Sequence, residues 1–147
     1  MPKFTYDSDI FIKHKPAQFP AGFYMSIVVL QELLAGAKDS EATKEFSAAY
    51  RAYQKGNRLL VPTAEDWWYV GLVLNALQRG RRSKKSGLIP KISIGEKYRI
   101  TNDVLIARTA RRAGIAIVTD NIKDFARIRN FCNVRLIAGI DFFRRKP

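Results

Sequence analysis

The residues of this chain best suited to chemistry are its acids, which are few but unusually placed. In Tyr6-Asp7-Ser8-Asp9-Ile10-Phe11, two carboxylates stand two residues apart, between two short apolar runs. Asp120 closes the run Ile115-Ala116-Ile117-Val118-Thr119, and Asp124 follows four residues later. Glu32 falls inside a helical pattern whose neighbours at three and four residues are Val28, Val29, Ala35 and Gly36, a small and apolar face where an acid is out of place. Asp103 heads a similar stripe through Ile106, Ala107 and Ala110. Most of these acids have an ordinary alternative role. Asp7 or Asp9 could cap the following turn, Asp120-Asn121 is common turn chemistry, and an acid such as Asp103 suits the first turn of a helix for dipole reasons. Glu32, in mid-helix, has no such alternative.

Several acids directed into one region repel each other, and burial raises their pKa values unless a cation joins them. A hard divalent ion such as Mg²⁺ takes oxygen ligands, a few carboxylates plus water and phosphate oxygens. It polarises a phosphoryl oxygen, activates water and stabilises the leaving oxygen. The rest of the chain supplies the counterpart. Lys and Arg number 26 against 13 Asp and Glu, giving a formal charge of +13. Such a surface attracts polyanions, nucleic acid first among them. A carboxylate–metal pit in a basic surface points to phosphodiester cleavage.

Other chemistries are excluded. Cys132 is the only cysteine, which rules out an internal disulfide and a thiolate zinc site, and His14 is the only histidine, which argues against a histidine-built centre. No apolar run reaches the roughly 18 residues of a membrane-spanning helix, and the start lacks the apolar stretch of a signal peptide. The cytoplasm is the expected compartment.

The elements that must position these acids follow from pattern and punctuation. Phe4 to Tyr6 reads as a first strand, and His14 to Gly22, with two prolines, as a loop. Ser26 is a candidate N-cap for a helix to about Ala37, and Ser40 for a second helix closed by Gly56. Arg58 to Pro62 is a short strand, and the segment from Thr63 to Gly80 a long amphipathic helix. Arg79 to Gly87 reads as a basic loop, and Leu88 to Ile100 is ambiguous. Thr101 to Gly114 is a helix, 115–119 a buried strand, 120–128 a turn and short helix, and 134–140 a last strand. This alternation predicts an α/β fold, a single domain over 1–147 with a parallel sheet covered by helices. Ligands of such sheets sit beyond the carboxyl ends of the strands, where Asp7 and Asp120 fall.

Taken together, these motifs resemble those of the PIN-domain ribonucleases, and within them the VapC-type toxins of toxin–antitoxin pairs. Tyr6 to Ile12 resembles the opening strand-plus-acid motif, with Asp7 leading. Ser26 followed six residues later by Glu32 resembles the second motif. Residues 102–125 resemble the third and fourth in tandem, with Asp103 as the third acid and Thr119, Asn121, Asp124 and Phe125 in the threonine–asparagine–aspartate-phenylalanine pattern. The resemblance implies a three-layer PIN-like sandwich with a short, mostly parallel central sheet. It also implies endoribonuclease activity with Mg²⁺ or Mn²⁺, a homodimer, and a cognate antitoxin that blocks the acidic groove. Two departures stand out. Asp9 replaces a frequent asparagine, and Asp120 occupies a position often held by other residues, so the fourth acidic ligand is Asp120 or Asp124. Ser8 and Thr119 are expected to orient carboxylates through their hydroxyls, with Asn121 beside them.

For the RNA backbone, candidate contacts are Arg79, Arg81, Arg82, Lys84 and Lys85 in the basic loop and Arg108, Arg111 and Arg112 on the helix after Asp103. Trp67 and Trp68 could stack bases, but at the start of an amphipathic helix they are expected to pack in the core or a dimer. Three rivals remain at this level: a housekeeping PIN-type RNA-processing nuclease, a catalytically inactive basic RNA-binding protein, and a dehalogenase-type phosphatase suggested by Asp7-Ser8-Asp9, which leaves Glu32 unexplained.

Overall fold

The computed structural model describes residues 3–14, 19–84 and 91–144. Its sheet is built from short apolar strands. β1 (Phe4–Tyr6), β4 (Ala116–Thr119) and β5 (Leu136–Ala138) lie parallel in the order β1-β4-β5. Tyr6 stands opposite Val118, and Val118 opposite Ile137. β2 (Met25–Ser26) and β3 (Leu59–Leu60) form a second parallel pair. A single parallel bridge between Thr5 and Tyr24, with the Tyr24 N–H donating to the Phe4 carbonyl at 2.9 Å, attaches that pair to β1.

Parallel strands need long crossovers, and helices supply them. They are α1 (Ser8–Lys13), α2 (Ile27–Ala35), α3 (Ser40–Lys55), α4 (Ala64–Lys84), α5 (Ile94–Arg112), α6 (Ile122–Arg127) and α7 (Gly139–Arg144). Successive residues of β4 face opposite sides of the sheet. Ile117 packs into a core with Val29, Val73, Val104 and Ile106 from α2, α4 and α5. Val118 packs with Tyr6 and Ile10 beneath the rings of Phe11, Phe19, Phe23, Phe142 and Phe143. Burying both faces gives the three layers expected. No helix of the described residues is long and apolar enough to cross a membrane.

The Ser26 cap is present, its hydroxyl accepting from the N–H groups of Val28 and Val29. Other boundaries differ from those read in the sequence. Asp39 rather than Ser40 caps α3, with Oδ1 accepting from the Ala42 N–H at 2.8 Å. The segment read as a basic loop is helical through Lys84, because Arg and Lys are good helix formers and one internal Gly80 costs only about 1 kcal/mol. α5 begins at Ile94, capped by Ser93 Oγ accepting from the Glu96 N–H at 3.1 Å. The short α1, β2 and α7 were not anticipated.

Candidate active site

Because β1 and β4 run parallel as neighbours, the residues that leave their carboxyl ends come together. The Asp7 N–H extends the ladder by donating to the Val118 carbonyl at 3.0 Å. The Asp7 carboxylate is then fixed on both oxygens: Oδ1 accepts from the Ser8 N–H and Oδ2 from the Thr119 hydroxyl, each at 2.9 Å. Thr119 Oγ1 in turn accepts from the Asn121 N–H at 3.0 Å. Asp7 is therefore the N-cap of α1 as well as a wall of the site. Glu32 enters from α2, Asp103 from α5 and Asp124 from α6. These four acids, with Ser8, Tyr98, Arg99, Asn102 and Asn121, line one cleft of about 100 Å³. Asp103 is the tenth of the 19 residues of α5, far from its first turn, so the helix dipole does not account for it.

The electrostatics of this cleft are adverse to its own charges. Burial pushes Asp7 up to about 6, and Asp9 and Asp124 add repulsion, against the hydrogen bonds from Thr119 and Ser8. Burial and then the Asp7 charge push Glu32 up to about 7, partly offset by a hydrogen bond with Ser8. Asp103 rises to about 8 through burial, then Asp7, Asp124 and Glu32, with Arg127 opposing. Asp103 Oδ2, Glu32 Oε1 and Asn102 Nδ2 are buried without a hydrogen-bond partner. Buried polar atoms left unmatched are costly and call for an explanation.

A divalent cation would resolve the conflict, and the donor set suits one. Among the described residues no three His, Cys, Asp or Glu side chains form a ready-made cage. Oxygen donors from a few carboxylates, two with unpartnered buried atoms, nevertheless fit an ion that keeps much of its shell as water and substrate phosphate. Asp7, Glu32, Asp103 and Asp124 are the residues that could hold it.

Asp120 and Asp9 lie outside the lining of the cleft. Asp120 Oδ2 meets Lys13 Nζ at 3.4 Å, and its Oδ1 lies against Gly139. Its N–H donates to Asp9 Oδ2 at 3.0 Å, and burial raises Asp9. The basic candidates are dispersed. Arg81 pairs with Glu96 at 2.6 Å, and Arg79 is exposed. Arg82 and Lys84 belong to α4, and Lys85 lies outside the described residues. Arg108 Nε and both terminal nitrogens of Arg112 donate to the buried Asp66 at 2.7–2.8 Å, and Arg108 also lies 4.1 Å over the Tyr69 ring. Burial alone would raise Asp66, but these guanidinium groups and the Thr63 N–H hold it well below the carboxylate range. Arg111 lines a hollow with Lys3 and Arg135 at the amino ends of the strands, away from the acids. Trp67 and Trp68 are 57% and 72% exposed, so of the core and dimer packing expected for them the core is excluded.

The sequence reading missed Tyr98, Arg99 and Asn102. Arg99 precedes Asp103 by four residues and Tyr98 precedes Asn102 by four, so all four share one face of α5. That spacing becomes a signal only once the helix is known to start at Ile94.

A family model described as the PIN domain matches residues 4–130. No curated protein matches the chain. Among solved structures, a chain of the DNA-bound VapBC from Salmonella typhimurium is similar at 23% identity and a TM-score of 0.55, over 95% of this chain and 99% of that one. VapBC2 from Rickettsia felis, bound to a DNA fragment from its promoter, gives 22% and 0.51 over 92% and 98%. VapBC-1 from nontypeable Haemophilus influenzae gives 17% and 0.55 over 93% and 98%. At these identities the likeness is one of fold.

Proposed function

Because the chain belongs to the PIN domain family, we propose that it is a metal-dependent endoribonuclease of the VapC type, acting as the toxin of a toxin–antitoxin pair. The observation that carries the proposal is the cleft itself. Four acids, Asp7 just past β1, Glu32 of α2, Asp103 of α5 and Asp124 of α6, line one cleft, and Glu32 and Asp103 each keep a buried unpartnered oxygen, in a chain of formal charge +13. That similar structures are of VapBC supports a cognate antitoxin as partner, and in this reading it covers the cleft. A homodimer is part of the same reading, and the exposed Trp67 and Trp68 on α4 offer an apolar face for a second copy.

In this mechanism Asp7, Glu32, Asp103 and Asp124 would hold Mg²⁺ or Mn²⁺, with Asp124 rather than Asp120 as the fourth acid. Such an ion would supply Lewis acidity toward the phosphoryl oxygen and an attacking water, and positive charge against the charge that develops there. The protein positions these groups. Thr119 fixes the Asp7 carboxylate, Asn121 fixes Thr119, and Ser8 steadies Glu32. Arg99 offers a guanidinium to the RNA backbone from the cleft wall. Water adds to the scissile phosphorus as the P–O bond to one ribose oxygen breaks, and the proton the water loses reaches that departing oxygen through solvent.

The test is incubation of the purified protein with single-stranded RNA in Mg²⁺, in Mn²⁺ and in EDTA, beside Asp7→Asn. Cleavage is expected with metal, absent in EDTA, and at least about a hundredfold slower in Asp7→Asn, since ligands matter more than the partners that orient them. Full activity in that variant would overturn the site assignment.

A further inference from the structure

We propose that Tyr98 is a stacking platform for one unpaired nucleobase of the substrate, at the rim of the acid cleft. This rests on the reading of that cleft as a site that acts on RNA. The pit between the acids is small, about 100 Å³, and its lining is mostly polar. It suits a phosphate group with an ion's waters better than a flat aromatic base. The base attached to the scissile nucleotide is better matched by an apolar surface at the rim.

Among the described residues that line the cleft, Tyr98 is the only aromatic one. Its side chain is 52% exposed, and among the described residues no other ring packs on it. Its hydroxyl accepts from Gln31 Nε2 at 3.2 Å, which ties the tip of the ring to α2 beside Glu32. The ring is thus held at its tip while half its surface remains open. Tyr98 and Arg99 precede Asn102 and Asp103 by one helical turn, about 6 Å along α5. A base on Tyr98 therefore lies within one turn of the acids, with Arg99 beside it for an adjoining phosphate. Trp67 and Trp68 are more exposed, but they belong to α4 and do not line the cleft. Stacking needs a base free of its own stack, so the platform selects single-stranded RNA and tolerates different bases.

The experiment measures binding in EDTA, without cleavage, of the full chain to a fluorescein-labelled single-stranded RNA of mixed sequence. Tyr98→Leu should weaken binding roughly five- to hundredfold, the range of one base–aromatic stack. Tyr98→Phe and Tyr98→Trp should stay within about threefold of the wild type. A blunt RNA duplex should compete poorly. With metal present, KM for Tyr98→Leu should rise far more than kcat falls. Wild-type affinity in Tyr98→Leu would overturn the proposal. So would equal losses in Tyr98→Phe and Tyr98→Leu, which would assign the effect to the Gln31 hydrogen bond. Failure of the two readings is separable: loss of binding in Tyr98→Leu without cleavage by any form leaves the platform and removes the nuclease, and metal-dependent cleavage with unchanged binding does the reverse.

Discussion

At Asp103 the fold holds a carboxyl in a place that disfavours its ionised form. Burial and the charges of Asp7, Asp124 and Glu32 push it up to about 8, while one oxygen stays unpartnered. Without metal, the folded chain binds protons at Asp7, Glu32 and Asp103 more tightly than the unfolded chain, whose carboxyls titrate near 4. These groups therefore stabilise the fold most below about pH 4, and that contribution is lost as pH rises through about 6, 7 and 8. Thermal unfolding in EDTA should show a lower Tm at pH 8 than at pH 5, with Mn²⁺ raising Tm at pH 8 far more than at pH 5. Asp103→Asn should make the metal-free protein more stable at pH 8 by roughly 1–3 kcal/mol and abolish the rise with Mn²⁺. The later acids divide by their surroundings. Asp124→Asn should remove cleavage, whereas Asp120→Asn, outside the lining of the cleft and paired with Lys13 at 3.4 Å, should leave it within about threefold.

The elements that aim these residues were partly legible in the sequence. The ends of β1 and β4 were, since short apolar runs closed by Asp7 and by Thr119-Asp120 have few other readings. Glu32 was legible because a mid-helix acid among Val28, Val29 and Ala35 conflicts with burial. The first two turns of α5 were not: Ile92, Ile94 and Ile100 blur the helical period, and this hid Tyr98 and Arg99 along with the mid-helix position of Asp103. The side of the chain on which Asp120 falls was also hidden, because it depends on Gly139 at the start of α7. A Cβ on Gly139 would lie 2.6 Å from Asp120 Oδ1 and 2.7 Å from Ile10 Cδ1. Gly139→Ala should therefore cost about 1–3 kcal/mol in chemical denaturation. The clamp between α4 and α5 was likewise invisible, as Asp66 and Arg112 are 46 residues apart. Asp66→Asn should cost about 2–4 kcal/mol at pH 7, since it uncouples two guanidinium groups. The loss should fade toward low pH, where wild-type Asp66, held low when folded, also loses its charge.

Over the whole molecule, an acid cleft lies within a chain of formal charge +13. The bases are spread widely, with Arg108 and Arg112 engaged by Asp66 and Arg111 at the far end of the sheet. Backbone binding should accordingly be diffuse and dependent on salt. With about five phosphates contacted, raising salt from about 50 to 200 mM should weaken single-stranded RNA binding roughly a hundredfold. The central claim, that the acids exist to hold metal for cutting RNA, is tested most directly on total cellular RNA with Mg²⁺, Mn²⁺ or EDTA, beside Asp103→Asn. Discrete fragments that need metal and vanish in the variant are the predicted result. No cleavage in either metal by folded protein free of any bound partner, or cleavage that persists in EDTA, would contradict it.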